Sequence, residues 1–94
     1  MIIIKIYYIY ADNCKHCLEV LSTIELAISQ CEKIACEIVK YRYDSSEAIN
    51  LAIHYGIDDL PGVVIGSKSF VKECKEKDII EAVKNASKTT KGHR

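Results

Sequence analysis

An excess of charge of either sign is missing from this 94-residue chain: 13 basic residues balance 13 acidic ones, for a formal net charge of zero. No basic stripe offers itself to a nucleic-acid backbone or an anionic membrane surface, so neither partner is expected. Proline occurs once, at Pro61, glycine four times and tryptophan not at all. With so little proline and glycine there is no linker, low-complexity tract or repeat, and at this length one domain is the expectation. A long apolar run is also missing. The most apolar stretch, Met1 to Ala11, is interrupted by Lys5 and is about half the ~20 residues a membrane helix needs. It has no basic leader ahead of an unbroken apolar segment, so it does not read as a signal peptide, and the cytoplasm is the expected location. No Walker loop, Ser/His/Asp order, paired-carboxylate motif or nucleic-acid-binding signature is present.

Cysteine is what the chain does have, at positions 14, 17, 31, 36 and 74. An odd count argues against a fully paired secreted framework. In a reducing compartment a Cys-x-x-Cys points to catalysis or metal binding rather than to a structural bridge. Cys14-Lys15-His16-Cys17 directly follows residues 2–10, rich in Ile and Tyr, which read as a strand buried on both faces. It directly precedes a helical pattern from 14 to about 32, in which Cys17, Leu21, Ile24, Ile28 and Cys31 recur on one face. A thiol at a helix start meets unpaired backbone N–H groups and the positive end of the helix dipole. Both favour the thiolate, which is the nucleophile. A second thiol one turn further on is within disulfide reach. Lys15 and His16 put positive charge beside Cys14, which is expected to lower its pKa and make the couple more oxidising.

Residues 34–43 are β-branched and aromatic, and predict a second strand. Asp44-Ser45-Ser46-Glu47 offers helix caps, Ala48, Ile49, Ala52 and Ile53 supply an apolar stripe, and Gly56 is a stop. Val63-Val64-Ile65 and Ser69-Phe70-Val71 flank Gly66-Ser67-Lys68 as a hairpin. A last helix over roughly 76–86 turns Ile79, Ile80, Val83 and Ala86 inward. The order βαβαββα predicts an α/β domain over residues 1–86, a four-stranded mixed sheet flanked by helices, followed by a flexible polar tail over 87–94. His54 and His93 read as ordinary surface residues.

Three features together make the chain resemble the thioredoxin-like family, in particular its small glutaredoxin-type members. The Cys-x-x-Cys follows the first strand; Tyr55-Gly56-Ile57 and Leu60-Pro61 resemble the family's helix end and proline loop; and the element order covers nearly the whole chain. The resemblance implies a thiol–disulfide oxidoreductase with Cys14 attacking and Cys17 resolving through a redox-active disulfide. It also implies a cis Pro61 opposite the pair, and a Leu60 backbone that receives an extended substrate. A disulfide-containing client protein is the implied partner of a monomer with no bound cofactor, and a flavoprotein reductase or glutathione the implied electron donor.

Some positions depart from the family pattern. Asn13 stands where thioredoxins have an aromatic residue, and Lys15-His16 where glutaredoxins have Pro-Tyr. Val71-Lys72-Glu73-Cys74 stands where glutaredoxins carry a Gly-Gly pair that helps hold glutathione, which weighs against glutathione as a bound co-substrate. Cys74 falls near the mouth of the expected site, either as a third redox thiol or as a cap on the last helix. Cys31 and Cys36 read as small buried hydrophobes. Two rival readings remain. The first four cysteines form C-x2-C-x13-C-x4-C, a zinc-like spacing, although the helix between the pairs would hold them about 20 Å apart. The second rival is a thioredoxin-like binding module with an idle Cys-x-x-Cys.

Overall fold

The computed structural model describes residues 3–92. The elements are β1 (Ile3–Tyr10), α1 (Lys15–Ser29), β2 (Ala35–Arg42), α2 (Ser46–Tyr55), β3 (Gly62–Ile65), β4 (Lys68–Val71) and α3 (Glu76–Gly92). They form one mixed sheet in the order β2-β1-β3-β4. β1 runs parallel to β2, with Ile6 opposite Ile38, and antiparallel to β3, with Ile9 opposite Gly62. The long helix between β1 and β2 permits that parallel pairing, whereas the turn at Gly66, in the left-handed region at φ 60°, closes β3 and β4 into a hairpin.

Alternation along β1 divides the core in two. Ile4, Ile6 and Tyr8 face α1 and α3, and pack with Val20, Ile24, Ile79 and Val83. Ile9 faces the other way, toward Ala48, Ile57 and Val64. Ile6, Ile24, Ile65 and Ile79 are fully buried, each contributing about 1.5–3 kcal/mol.

Four expectations are corrected. β1 is not buried on both faces along its whole length: Ile3 and Lys5 are exposed. α2 has ten residues and is about 15 Å long, too short to cover that end of the strand. On α1 the deepest residues are Cys17, Val20, Ile24 and Ala27, with Leu21 and Ile28 flanking them at half burial. On α2 the expected stripe is out of phase. Ala48, Leu51, Ala52 and Tyr55 face the sheet, while Ile49 and Ile53 are 48% and 76% exposed. The packing against Ile9 and Val64 of the sheet selects that face, while Ser45 starts the helix, its Oγ accepting from the N–H of Ala48 at 3.1 Å. Lastly, α3 does not stop at residue 86 but continues to Gly92, because the five residues after Ala86, Ser-Lys-Thr-Thr-Lys, include no proline or glycine to break the helix before Gly92. Ile2 of the first expected strand, and the last two residues of the expected tail with His93, lie outside the described residues. Among the described residues no helix is long and apolar enough to cross a membrane.

Candidate active site

β1 ends at Tyr10, whose carbonyl accepts from the N–H of Tyr43 at 2.8 Å. The chain then turns through Asn13, which takes a positive φ of 58°, a conformation that asparagine tolerates better than most residues. Cys14 follows in extended geometry and caps α1. Its Sγ accepts the N–H of Cys17 at 3.1 Å, and its carbonyl accepts the N–H of Leu18 at 3.3 Å. The first turn of α1 carries no acidic residue, so no carboxylate there opposes a negative charge on sulfur.

Cys14 and Cys17 are joined in a disulfide, with Cα atoms 5.2 Å apart. Their environments differ. Cys17 is 1% exposed, while Cys14 is only half-buried. A thiol reached by solvent and held at a helix N-terminus is suited to attack; one buried in the core is suited to wait.

An open cleft of about 520 Å³ runs beside the pair, lined by Tyr8, Tyr10, Asn13, Cys14, Lys15, Cys17 and Leu18 among others. Tyr8, which residue pattern alone does not distinguish from the other buried positions of β1, donates its phenol O–H to the carbonyl of Cys17. Burial, then the neighbouring Tyr10, pushes the Tyr8 phenol up to about 12, so it is neutral at pH 7. The rings of Tyr8 and Tyr10 stack at 5.7 Å. The signal that could have singled out Tyr8 is its place at the inward period of Ile4 and Ile6, where a polar atom needs a partner. Asp12, also in this cleft, is paired with Arg42 of β2 at 3.0 Å.

The two residues between the cysteines part company. Lys15 lines the cleft of Cys14. His16 lines a smaller groove of about 260 Å³ with Glu19, Glu73, Cys74 and Lys75, its Nδ1 3.3 Å from Glu19 Oε1. Cys74 therefore lies beside the first turns of α1. Burial, with Asp78 adding to it, pushes its thiol up to about 12, and a protonated thiol is a poor nucleophile.

The Leu60–Pro61 peptide bond is cis. The register Ile9 to Gly62 places Pro61 level with Tyr10, at the end of the sheet from which residues 11–14 enter α1. Leu60 and Cys14 pack against the same core. The Pro61 carbonyl accepts from Lys72 N–H at 2.9 Å, and the Leu60 N–H donates to Asp59 Oδ1 at 2.8 Å. That bond, then the Lys72 ammonium 3.4 Å away, holds the Asp59 carboxyl below the usual range.

Three cysteines are free among the described residues: Cys31, Cys36 and Cys74. Cys31 is buried beyond the C-terminal end of α1, and the Cys36 thiol is raised by burial and by Cys31. The 15 residues of α1 separate the Cys14–Cys17 pair from Cys31 by about 20 Å, so the four cysteines of the zinc-like spacing cannot converge on one tetrahedral ion.

Solved structures with this arrangement of elements decide the fold. An uncharacterised thioredoxin-like protein from Clostridium perfringens superposes with a TM-score of 0.71 at 19% identity, over 89% of this chain and 71% of that one. Thioredoxin-2, a component of the malaria parasite protein secretion machinery, superposes at 0.58 with 16% identity, over 87% and 82%. The fold is thioredoxin-like. A further malarial protein superposes on this thioredoxin-like chain at 0.65 with 16% identity, over 90% of it and 98% of the other. No family model and no curated protein matches the sequence. In the thioredoxin-like frame, the Cys14–Cys17 pair stands at the head of α1 and Pro61 at the adjoining end of the sheet.

Proposed function

We propose that this protein is a thiol–disulfide oxidoreductase that reduces or exchanges disulfides in a client protein through Cys14 and Cys17. The observation that carries the reading is the asymmetry of the pair: a half-buried Cys14 whose Sγ accepts a helix N-terminal N–H, next to a buried Cys17 within bonding distance. In the reduced enzyme the Cys14 thiolate attacks one sulfur of the client disulfide. A Cys14–client bond forms, and the other client sulfur leaves with the electron pair and takes up a proton. Cys17, having lost its proton, then attacks Cys14. The Cys14–Cys17 bond forms and the first client sulfur leaves as a second thiolate. Two electrons have passed to the client, and a flavoprotein reductase or glutathione returns them.

Lys15, in the cleft of Cys14, favours the thiolate by its charge. The loop of Leu60 and Pro61 is the surface for the client's extended segment. The occupied Leu60 N–H means that such a segment must displace Asp59 Oδ1 to bond there. Of the two donors, a reductase suits the site better than bound glutathione, as Lys72, Glu73 and Cys74 stand where a glycine pair would admit the tripeptide. The protein is proposed to work as a monomer in the cytoplasm.

Insulin reduction driven by dithiothreitol tests the reading. Acceleration over dithiothreitol alone, lost in Cys14→Ser, is expected. No acceleration by the wild type would overturn it and leave the fold to a binding role.

A further inference from the structure

We propose that Tyr8 is a positioning residue for Cys17: its phenol ties the first turn of α1 to the central strand and so favours closure of the Cys14–Cys17 disulfide. The inference rests on the oxidoreductase reading for its importance, but its geometry stands on its own. Tyr8 lies on β1, the strand flanked by β2 and β3, and is 2% exposed. Its inward neighbours Ile4 and Ile6 carry no polar atom. A phenylalanine would fill the same space without a hydroxyl to satisfy. The hydroxyl occurs where β1 passes under the cysteine pair, and its partner is the carbonyl of Cys17 itself. The stacked ring of Tyr10 holds the phenol in that direction, and both cysteines share a cleft with the two rings.

The consequence follows from the resolving step. Cys17 sulfur attacks Cys14 sulfur, the new S–S bond forms, and the bond from Cys14 to the client breaks, its electron pair leaving on the client sulfur. The rate and the extent of that closure depend on how closely the two cysteines are held, the effective-concentration argument that applies to any intramolecular reaction. With a thiol separation set only by the backbone of one turn, a tether from Cys17 to an interior strand of the sheet narrows the range of positions Cys17 can take. A carbonyl inside a helix already serves the N–H four residues on, so the phenol adds restraint rather than rescuing an unpaired acceptor. The phenol, raised by burial, keeps its proton across the neutral range and holds the bond throughout it.

The test is the equilibrium of the Cys14–Cys17 disulfide with reduced and oxidised glutathione, quenched by alkylation and read by mass. In that exchange two glutathione thiols give up two electrons and two protons to the protein disulfide and become joined as a disulfide. Tyr8→Phe keeps the ring and removes the donor. Its disulfide is expected to be less stable than the wild type's by about fivefold in equilibrium constant, through the lower effective concentration of a less restrained Cys17 thiol, and the mixed disulfide with glutathione is expected to persist longer. Val64→Ala, a core truncation on the opposite face of the sheet, supplies a loss of stability that leaves this equilibrium unchanged. A Tyr8→Phe equilibrium equal to the wild type's, or a shift of the same size in Val64→Ala, would overturn the proposal. Proton resonances of the wild type give a second readout that does not depend on the variant folding: the Tyr8 ring signals are expected to shift between the oxidised and reduced protein, and their constancy would also overturn it. Failure of the oxidoreductase reading is seen separately, as an inactive wild type in the insulin assay, and leaves this equilibrium measurable.

Discussion

The backbone N–H of Cys17 donates to the Sγ of Cys14 at 3.1 Å, so the sulfur of the helix-capping residue occupies the position an N-cap oxygen normally takes. On reduction that N–H is in place for a thiolate. Cys14→Ser should bring insulin reduction down to the dithiothreitol background. Cys17→Ser should keep the first attack and lose the second, accumulating a covalent adduct with the client that mass spectrometry reads as the sum of the two chains. An adduct of equal yield on Cys14→Ser would contradict this order of attack.

At neutral pH the reduced protein should be alkylated first at Cys14 and last at Cys74 and the buried Cys31. Cys74 is half-buried with its thiol pushed up to about 12 by burial and by Asp78, whereas Cys14 meets solvent at a helix N-terminus. Time-resolved iodoacetamide labelling followed by peptide mapping gives the order directly.

Stability should fall on the alkaline side. Cys74 has a folded value of about 12 against an ordinary 9.0, and Tyr8 about 12 against 10.0. Both hold their protons more tightly in the folded chain, so their contribution is complete below the ordinary values and is lost as the pH rises from about 9 toward 12. Urea midpoints measured from neutral pH upward should decline through that window. Cys74→Ala should flatten the decline relative to its own neutral value, although the lost packing lowers that starting value.

Ser45→Ala should cost about 1 kcal/mol in urea unfolding, because Ser45 Oγ is the acceptor for the N–H of Ala48. Ser45→Asp should restore most of it, as an aspartate offers the same acceptor and suits the helix N-terminus.

Two glycines should respond to alanine for different reasons. Gly56 closes α2 at φ 67° with open space around its missing Cβ, so Gly56→Ala should cost about 1–2 kcal/mol through the left-handed backbone alone, and Gly56→Asn less. Gly62 has an ordinary φ, but a Cβ there would stand 2.9 Å from Ile57 Cγ2. Gly62→Ala should cost about 1–3 kcal/mol through overpacking, and the cost should be smaller in an Ile57→Ala background, which removes the Cγ2 it meets.

Much of the site was legible in the chain because its parts are local. The strand, the cysteine spacing and the helix pattern around residues 2–32 lie within one continuous stretch, and hydrophobic period together with helix-end chemistry specifies such a stretch without help from elsewhere. The misreading of Ile49 and Ile53 shows the limit of that approach. In a helix with apolar residues on more than one side, Ala48, Leu51, Ala52 and Tyr55 match a helical stripe as well as the residues first chosen, and only the sheet beneath decides which set is buried. Lys15 and His16 show it too: they are adjacent in sequence, but the helix turns them to different grooves.

The sequence by itself determined the order of elements, the helix that starts at the cysteine pair and the reach of one thiol to the other, since each depends on residues within a turn or two. Only the tertiary structure decided that Tyr8 meets Cys17, that Pro61 stands level with Tyr10, and that Cys74 shares a groove with His16 rather than with Cys14. Those relationships join residues 9 to 58 positions apart through the packing of helices on a sheet, and no local propensity specifies where two distant segments will touch.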